Sequence, residues 1–176
     1  MSIQITTLAP EEIELSLPQL VELFQDAIAS GAALGFLSPL TDEEAGSFWR
    51  RVRDGVRAGA LHLFVARDEA TQQVLGTVQL ALAPQTNGRH RADVAKMMVH
   101  RSARRQGLGR QLLQALEIKA AQLGRTTLVL DTRQGDVAEQ LYQSLHYQAA
   151  GVVPEYAQSG DGTRHATVIY YKLLAA

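Results

Sequence analysis

The sequence predicts a mixed-sheet α/β fold, and three observations carry the prediction. Apolar segments with strand alternation and segments with helical period interleave in the order βααβββαβαββ. Strands at 61–68 and 73–83 are joined by a short polar turn and should pair antiparallel, whereas those at 91–100 and 126–131 are linked by a helical crossover and should run parallel. A chain of 176 residues, 46% hydrophobic and 20% charged, suits one domain, 1–176, with a sizeable buried core.

Each element has its own signal. Ile3 and Ile5 alternate with polar residues as in a short strand, and Pro10-Glu11-Glu12 reads as the first turn of a helix running to about Ser30. The stretch "SGAALGFLSPL" (30–40) breaks it. Thr41, with Glu44 three residues on, forms a capping-box pattern that opens a second helix through Trp49 and Val52 to about Val56, and Gly59 marks the exit. "LHLFVARD" (61–68) and "QVLGTVQLALA" (73–83) form the hairpin, and "RADVAKMMVH" (91–100) is a third strand. The next helix places Leu108, Leu112, Leu116 and Ala120 on one stripe, with Gly124 as its stop. "TTLVLD" (126–131) is a strand, and a helix from about Val137 aligns Ala138, Leu141, Tyr142 and Leu145. "YQAAGVVP" and "HATVIYYKLL" then flank "SGDGTR" as a long hairpin.

The totals exclude several functions. A net charge of −1 argues against nucleic acid or an anionic membrane as the main partner. The absence of cysteine removes disulfides, thiolate metal sites and an acyl-cysteine intermediate. The five histidines (62, 90, 100, 146, 165) lack paired ligand spacing, so no metal is expected. No apolar run approaches the ~20 residues of a membrane span, and "MSIQITTLAPEE" has no cationic segment leading an apolar one, so a cytoplasmic protein is expected.

The stretch "ARRQGLGRQLLQALEIKAAQLG" (103–124) carries the chemistry. A helix opening on Gly-Leu-Gly offers unpartnered N–H groups and the positive end of the helix dipole to an anion. Gly107 and Gly109 let a phosphate approach, and Arg104, Arg105 and Arg110 can neutralise a diphosphate. The Walker sequence is absent, and the third glycine of a dinucleotide fingerprint is replaced by Leu112. What fits is Gln/Arg-x-x-Gly-x-Gly, met by Arg104, Gly107 and Gly109 between a strand and a helix.

On these residues the sequence resembles the GNAT family of acetyl-coenzyme A-dependent N-acetyltransferases, over nearly the whole chain and most strongly from Asp93 to Tyr147. Within the family it is most similar to the tabtoxin-resistance type, through "GFLSPL", "NGRHRADVAKMMVHRSARRQGLGRQLL", "LDTRQGDVAEQLYQSLHY" and "SGDGTRHATVIYYK". The resemblance implies acetyl-CoA as donor, with backbone groups of Met98 and Val99 at the strand end pairing with the pantetheine arm. The amides from Arg105 through Gln106, Gly107, Leu108 and Gly109 to Arg110 would hold the pyrophosphate. It implies Asp93, Asp131 and Tyr142 around the reacting centre, with Tyr142 donating a proton to the coenzyme sulfur. Asp93 replaces a glutamate of that type, His146-Tyr147 replaces Gly-Phe, and Gly135 stands where many members have asparagine. Phe36, Glu155 and Tyr156 would line the acceptor pocket, carboxylates would attract an amine, and Arg133 would take a carboxylate. The expected reaction is direct attack by a small-molecule primary amine, such as a toxin, an antibiotic or an amino-acid-like compound. Alternatives are a protein N-terminal or lysine acetyltransferase and a non-catalytic coenzyme A-binding module. Monomer and homodimer both remain open.

Overall fold

The computed structural model describes residues 2–175. In chain order these form β1 (Ile3–Thr7), α1 (Pro10–Leu15), α2 (Leu17–Ala29), α3 (Asp42–Arg57), β2 (Leu61–Asp68), β3 (Val74–Leu82), β4 (Arg91–Val99), α4 (Leu108–Gln122), β5 (Thr127–Arg133), α5 (Val137–Ser144), β6 (Gln148–Gln158) and β7 (Arg164–Leu173). The strands make one sheet in the order β1-β2-β3-β4-β5-β7-β6. Every neighbouring pair is antiparallel except β4 and β5, which the α4 crossover makes parallel.

The first helix differs from the sequence expectation. It is two helices, broken at Ser16, whose φ of −92° and ψ of 1° are not helical. Pro18 is the cause: within a continuous helix its ring would meet the carbonyl of Glu14, and it has no N–H to donate, so it sits instead in the first turn of α2. The capping box on α3 is present, with Thr41 Oγ1 accepting from the Glu44 N–H at 3.2 Å and the Glu44 carboxylate accepting from the Thr41 N–H at 3.0 Å.

Two apolar layers clamp the sheet. On one face α1, α2 and α3 pack Ile13, Leu20, Phe24 and Trp49 against Leu63 and Val65. The Trp49 indole N–H donates to Leu20 O at 2.8 Å, and the rings of Phe24, Phe36 and Phe48 gather beside it. Phe36 thereby anchors the 30–40 connection onto this layer. On the other face α4 buries Leu108, Leu112, Leu113 and Leu116, each contributing about 1.5–3 kcal/mol of burial, with Tyr142 and Leu145 of α5 beside them. β6 closes one edge of the sheet and is exposed along its whole length.

Candidate active site

The site begins where the sheet splits. β4 and β5 pair at only three positions, Arg91 with Thr127, Ala92 with Leu128 and Asp93 with Val129, although β4 runs on to Val99 and β5 to Arg133. Beyond the third pair the strands diverge. A bulge in β4 shapes the opening: Gln79 faces Ala95 and Thr77 faces Met98, so two steps of β3 span three of β4, and Lys96 takes a φ of 51° to absorb the extra residue. The His100 N–H donates to Leu75 O at 2.8 Å, and since ladder groups alternate sides, Val99 turns its N–H and C=O away from β3 and into the gap. Arg104 Nε donates to that Val99 carbonyl at 3.0 Å.

Beside the gap lies the start of α4. Gly107, at a φ of 80°, is its left-handed N-cap, and Arg105, at 60°, precedes it. Among the described residues, none of the N–H groups from Arg105 to Arg110 hydrogen-bonds to a protein acceptor. Such a run of amides with the helix dipole behind it is an anion cradle. The two glycines serve different ends. A Cβ on Gly107 would meet nothing within 4 Å, so this residue supplies backbone conformation and leaves the cradle open, whereas a Cβ on Gly109 would lie 3.0 Å from Leu141 Cδ2, so this residue lets α5 pack on α4. The arginines also divide. Arg104 is held by Val99 O and lies 3.8 Å from Asp26, Arg110 donates to Ser144 Oγ at 2.7 Å, and Gln106 donates to Ser102 O at 3.1 Å. The Arg105 side chain forms no hydrogen bond or ion pair among the described residues.

A cavity of about 800 Å³ adjoins the gap, lined by the 31–38 connection, residues 94–97 of β4, Asp131 to Arg133 of β5, the start of α5, and β6 and β7. Asp131 faces it. Thr167 Oγ1 lies 3.2 Å from Asp131 Oδ2, but the single hydroxyl proton has a shorter acceptor in Thr132 O at 2.8 Å, which leaves the carboxylate open to the cavity. Tyr142, on α5, is buried against the rings of Tyr147 and Tyr170, yet it lines the cavity and its hydroxyl has no hydrogen-bond partner among the described residues. Burial, joined by the negative charges of Asp136 and Asp131, pushes its ionisation well above the ordinary tyrosine range, so the phenol keeps its proton. Asp136 caps α5 through the Ala138 N–H at 3.0 Å.

The structure gathers Asp131, Tyr142, Phe36, Arg133 and Tyr156 around this one cavity. It does not bring Asp93 there: this residue lies exposed on β4 at the last position before the split, and it does not line the cavity. Glu155 is likewise outside, paired with Arg164 at 3.0 Å on the surface. The Met98 backbone faces Thr77 of β3, with its side chain buried in the α2–α3 layer, while Val99 offers its backbone to the gap.

Sequence reasoning missed three groups. Lys96 reaches the cavity wall and donates to Leu34 O, and burial lowers its pKa against the opposing pull of Asp131. A lone lysine in the apolar run "VAKMMV" was the available signal. Ser159 and His165, 2.8 Å apart, carry Arg133, whose Nη2 donates to Ser159 Oγ at 2.9 Å. Asp26 of α2 accepts from the Arg101 N–H at 3.0 Å and from its guanidinium, tying α2 to the loop before α4. Neither of these two sites had a local sequence signal. Among the described residues, no group of three or more histidine or acidic side chains is placed to hold a metal ion.

Unpaired strand edge, open amide cradle and a protonated tyrosine facing a carboxylate together describe a group-transfer site for an extended anionic carrier. The comparisons with known proteins agree. The chain belongs to the GNAT acetyltransferase family: the family model described as an acetyltransferase (GNAT) domain matches residues 59–149. Similar solved structures include a GCN5-related N-acetyltransferase from Kribbella flavida, 25% identical over 98% of each chain with a TM-score of 0.79. An N-acetyltransferase from Staphylococcus aureus Mu50 is 22% identical over 99% of this chain and 100% of that one, with a TM-score of 0.82. A Salmonella typhimurium protein assigned as an acetyltransferase, solved with its cofactor acetyl-CoA, is 15% identical over 100% of this chain and 96% of that one, with a TM-score of 0.79.

Proposed function

We propose that the protein transfers the acetyl group of acetyl-CoA to the primary amine of a small molecule by direct attack with both substrates bound. The observation that carries the acceptor class is the cavity: about 800 Å³, bounded by the 31–38 connection and β6, it has the size of a small-molecule pocket. A peptide acceptor would need an open groove.

The chain's own groups fit acetyl-CoA. The unpartnered amides from Arg105 to Arg110 and the open space at Gly107 suit a diphosphate, and Arg105 has a guanidinium to spare for it. The Val99 N–H and C=O suit the amides of an extended arm lying in the split. When bound, acetyl-CoA supplies the acetyl group as a thioester and departs as the thiol.

Asp131 holds the acceptor ammonium and takes its proton, directly or through a water, which exposes the nitrogen lone pair for attack. Tyr142, kept protonated by burial, donates its phenolic proton to the departing sulfur. From ammonium to amide the nitrogen loses two protons: the first passes through Asp131 to solvent, and the second, released as the tetrahedral adduct collapses, restores the Tyr142 phenol whose own proton has gone to the thiolate, so one proton is released overall. Asp93 receives no proton-transfer role here, because it does not line the cavity. By the sequence's resemblance to the tabtoxin-resistance type, the physiological task is detoxification of a toxin or antibiotic.

The test is release of coenzyme A thiol on addition of a panel of small amines. Tyr142→Phe should lower kcat about 10²–10⁴-fold, the usual range for a lost general acid, with acetyl-CoA affinity unchanged. Undiminished kcat in that variant would remove Tyr142 from the chemistry.

A further inference from the structure

The acceptor cavity is lined by two cations that form no ion pair among the described residues. Lys96 enters from the bulge in β4 and Arg133 from β5, so they stand on the two sides of the split. Among the described residues, neither lies within 4.0 Å of a carboxylate. The Lys96 ammonium donates one hydrogen bond, to Leu34 O, and has two further N–H groups. Arg133 places Nη2 on Ser159, and its Nη1 has no hydrogen-bond partner among the described residues. Both side chains therefore keep donors free for a ligand in the cavity they line.

The remaining charges sharpen this picture. Asp136 is engaged as the cap of α5, and Glu155 is spent on Arg164, outside the cavity. That leaves Asp131 as the open anion facing the two cations. The cavity wall thus carries two carboxylates, Asp131 and the capping Asp136, and two cations, with Asp131 the carboxylate left open to a ligand. The backbone adds a separate indication. Lys96 is held at a φ of 51°, a conformation that a lysine adopts only when its surroundings impose it, and the bulge that imposes it turns this side chain toward the cavity.

We propose that Lys96 and Arg133 form an acid-group subsite, so that the acetylated amine belongs to an amino-acid-like zwitterion whose carboxylate lies between these two cations while its ammonium meets Asp131. The inference rests on the acetyltransferase reading above. The planar fork of Arg133 gives direction to the carboxylate, and the ammonium of Lys96 gives it charge. Because Lys96 also holds Leu34, an acceptor bound here would be bonded on one side to a group that fixes the 31–38 connection over it.

The experiment compares the α-amino acids with their α-carboxamides, which retain the amine and remove the charge. The wild type should favour acids over the matching amides in kcat/KM by about tenfold or more, the size of one charge-assisted hydrogen bond. Lys96→Met should collapse that preference by raising KM for the acids, and Lys96→Arg should restore part of it. The N-acetyl amino acid products should bind the wild type calorimetrically and bind Lys96→Met more weakly, which gives a readout independent of turnover. Acetyl-CoA binding by each variant reports that it is folded. A preference for amides, failure to acetylate any of the acids, or equal losses for acids and amides in Lys96→Met would overturn the inference while leaving the acetyltransferase reading intact. A folded wild type that does not bind acetyl-CoA would overturn both.

Discussion

Asp26 joins the acceptor side of the molecule to the anion cradle, and replacing it should disturb both. Its side chain is 8% exposed, accepts the Arg101 N–H at 3.0 Å as well as the Arg101 guanidinium, and lies 3.7 Å from His100 Nε2 and 3.8 Å from Arg104 Nη2. Hydrogen bonds to a charged group contribute about 1.5–3 kcal/mol each when buried. Arg101 and Arg104 are 60% and 41% exposed, so water replaces much of what they lose. The net cost of Asp26→Ala is therefore about 2 kcal/mol, most of it from the stranded Arg101 N–H. The functional effect follows from Arg104, which also donates to Val99 O in the split. With its second anchor gone, the loop before α4 loosens, and acetyl-CoA should bind about tenfold more weakly, or about 1.4 kcal/mol.

Urea unfolding and calorimetry on the same preparations measure the two effects. Asp26→Asn, which keeps an acceptor for the Arg101 N–H, should recover about half of the stability. Burial raises the Asp26 pKa, but the hydrogen bonds from Arg101 and the charges of His100 and Arg101 outweigh it and hold the carboxyl below its ordinary value. Its contribution is thus present above the unfolded carboxylate range, about pH 4, and is lost as the pH falls through the lowered folded value. The gap between wild type and Asp26→Ala should close on acidification. Lost stability with unchanged acetyl-CoA affinity would refute the positioning argument.

Two other predictions concern the frame of the site. Trp49→Phe removes the second hydrogen bond to the Leu20 carbonyl, which keeps its intrahelical one, and leaves a void beside Phe24 and Phe48, so it should cost about 1–3 kcal/mol in urea unfolding with the slope unchanged. Burial, the largest influence on both Tyr142 and Tyr147, raises their ionisation above the ordinary tyrosine range. The folded state therefore retains protons that the unfolded chain releases near pH 10, and stability should fall as pH rises past about 10. Phenolate absorbance of the folded protein should show these two rings silent there, with the missing absorbance appearing on unfolding.

Much of this architecture was legible because its signals are local. The capping box at Thr41 and Glu44, the stripe of leucines on α4 and the parallel relation of β4 to β5 all follow from period and spacing. Pro18 was present to be read, yet the apolar period continues through Ser16 and hides the break. The cradle was legible at Gly107, whose role is conformational. Gly109 was not, because its need for a missing Cβ arises from Leu141, more than thirty residues away in sequence. Asp93 and Glu155 show the same limit. Their residue type suits a cationic amine, but the β4–β5 split lies one step beyond Asp93, and Glu155 finds Arg164 across the β6–β7 hairpin. Lys96 went unread because a bulge, which no periodicity discloses, decides where its side chain goes.

Whether the open amides before α4 hold the diphosphate of acetyl-CoA is decided by calorimetric titration of acetyl-CoA into the wild type and Gly107→Glu. Position 107 has open space around it, so the variant should fold, at the cost of about 1 kcal/mol for a side chain at positive φ. The wild type should bind at about micromolar concentration, more weakly with added salt, and Gly107→Glu should lose about a hundredfold or more, since the new carboxylate faces the phosphates. Equal binding by the two proteins, or none by a folded wild type, would contradict this role for the amides.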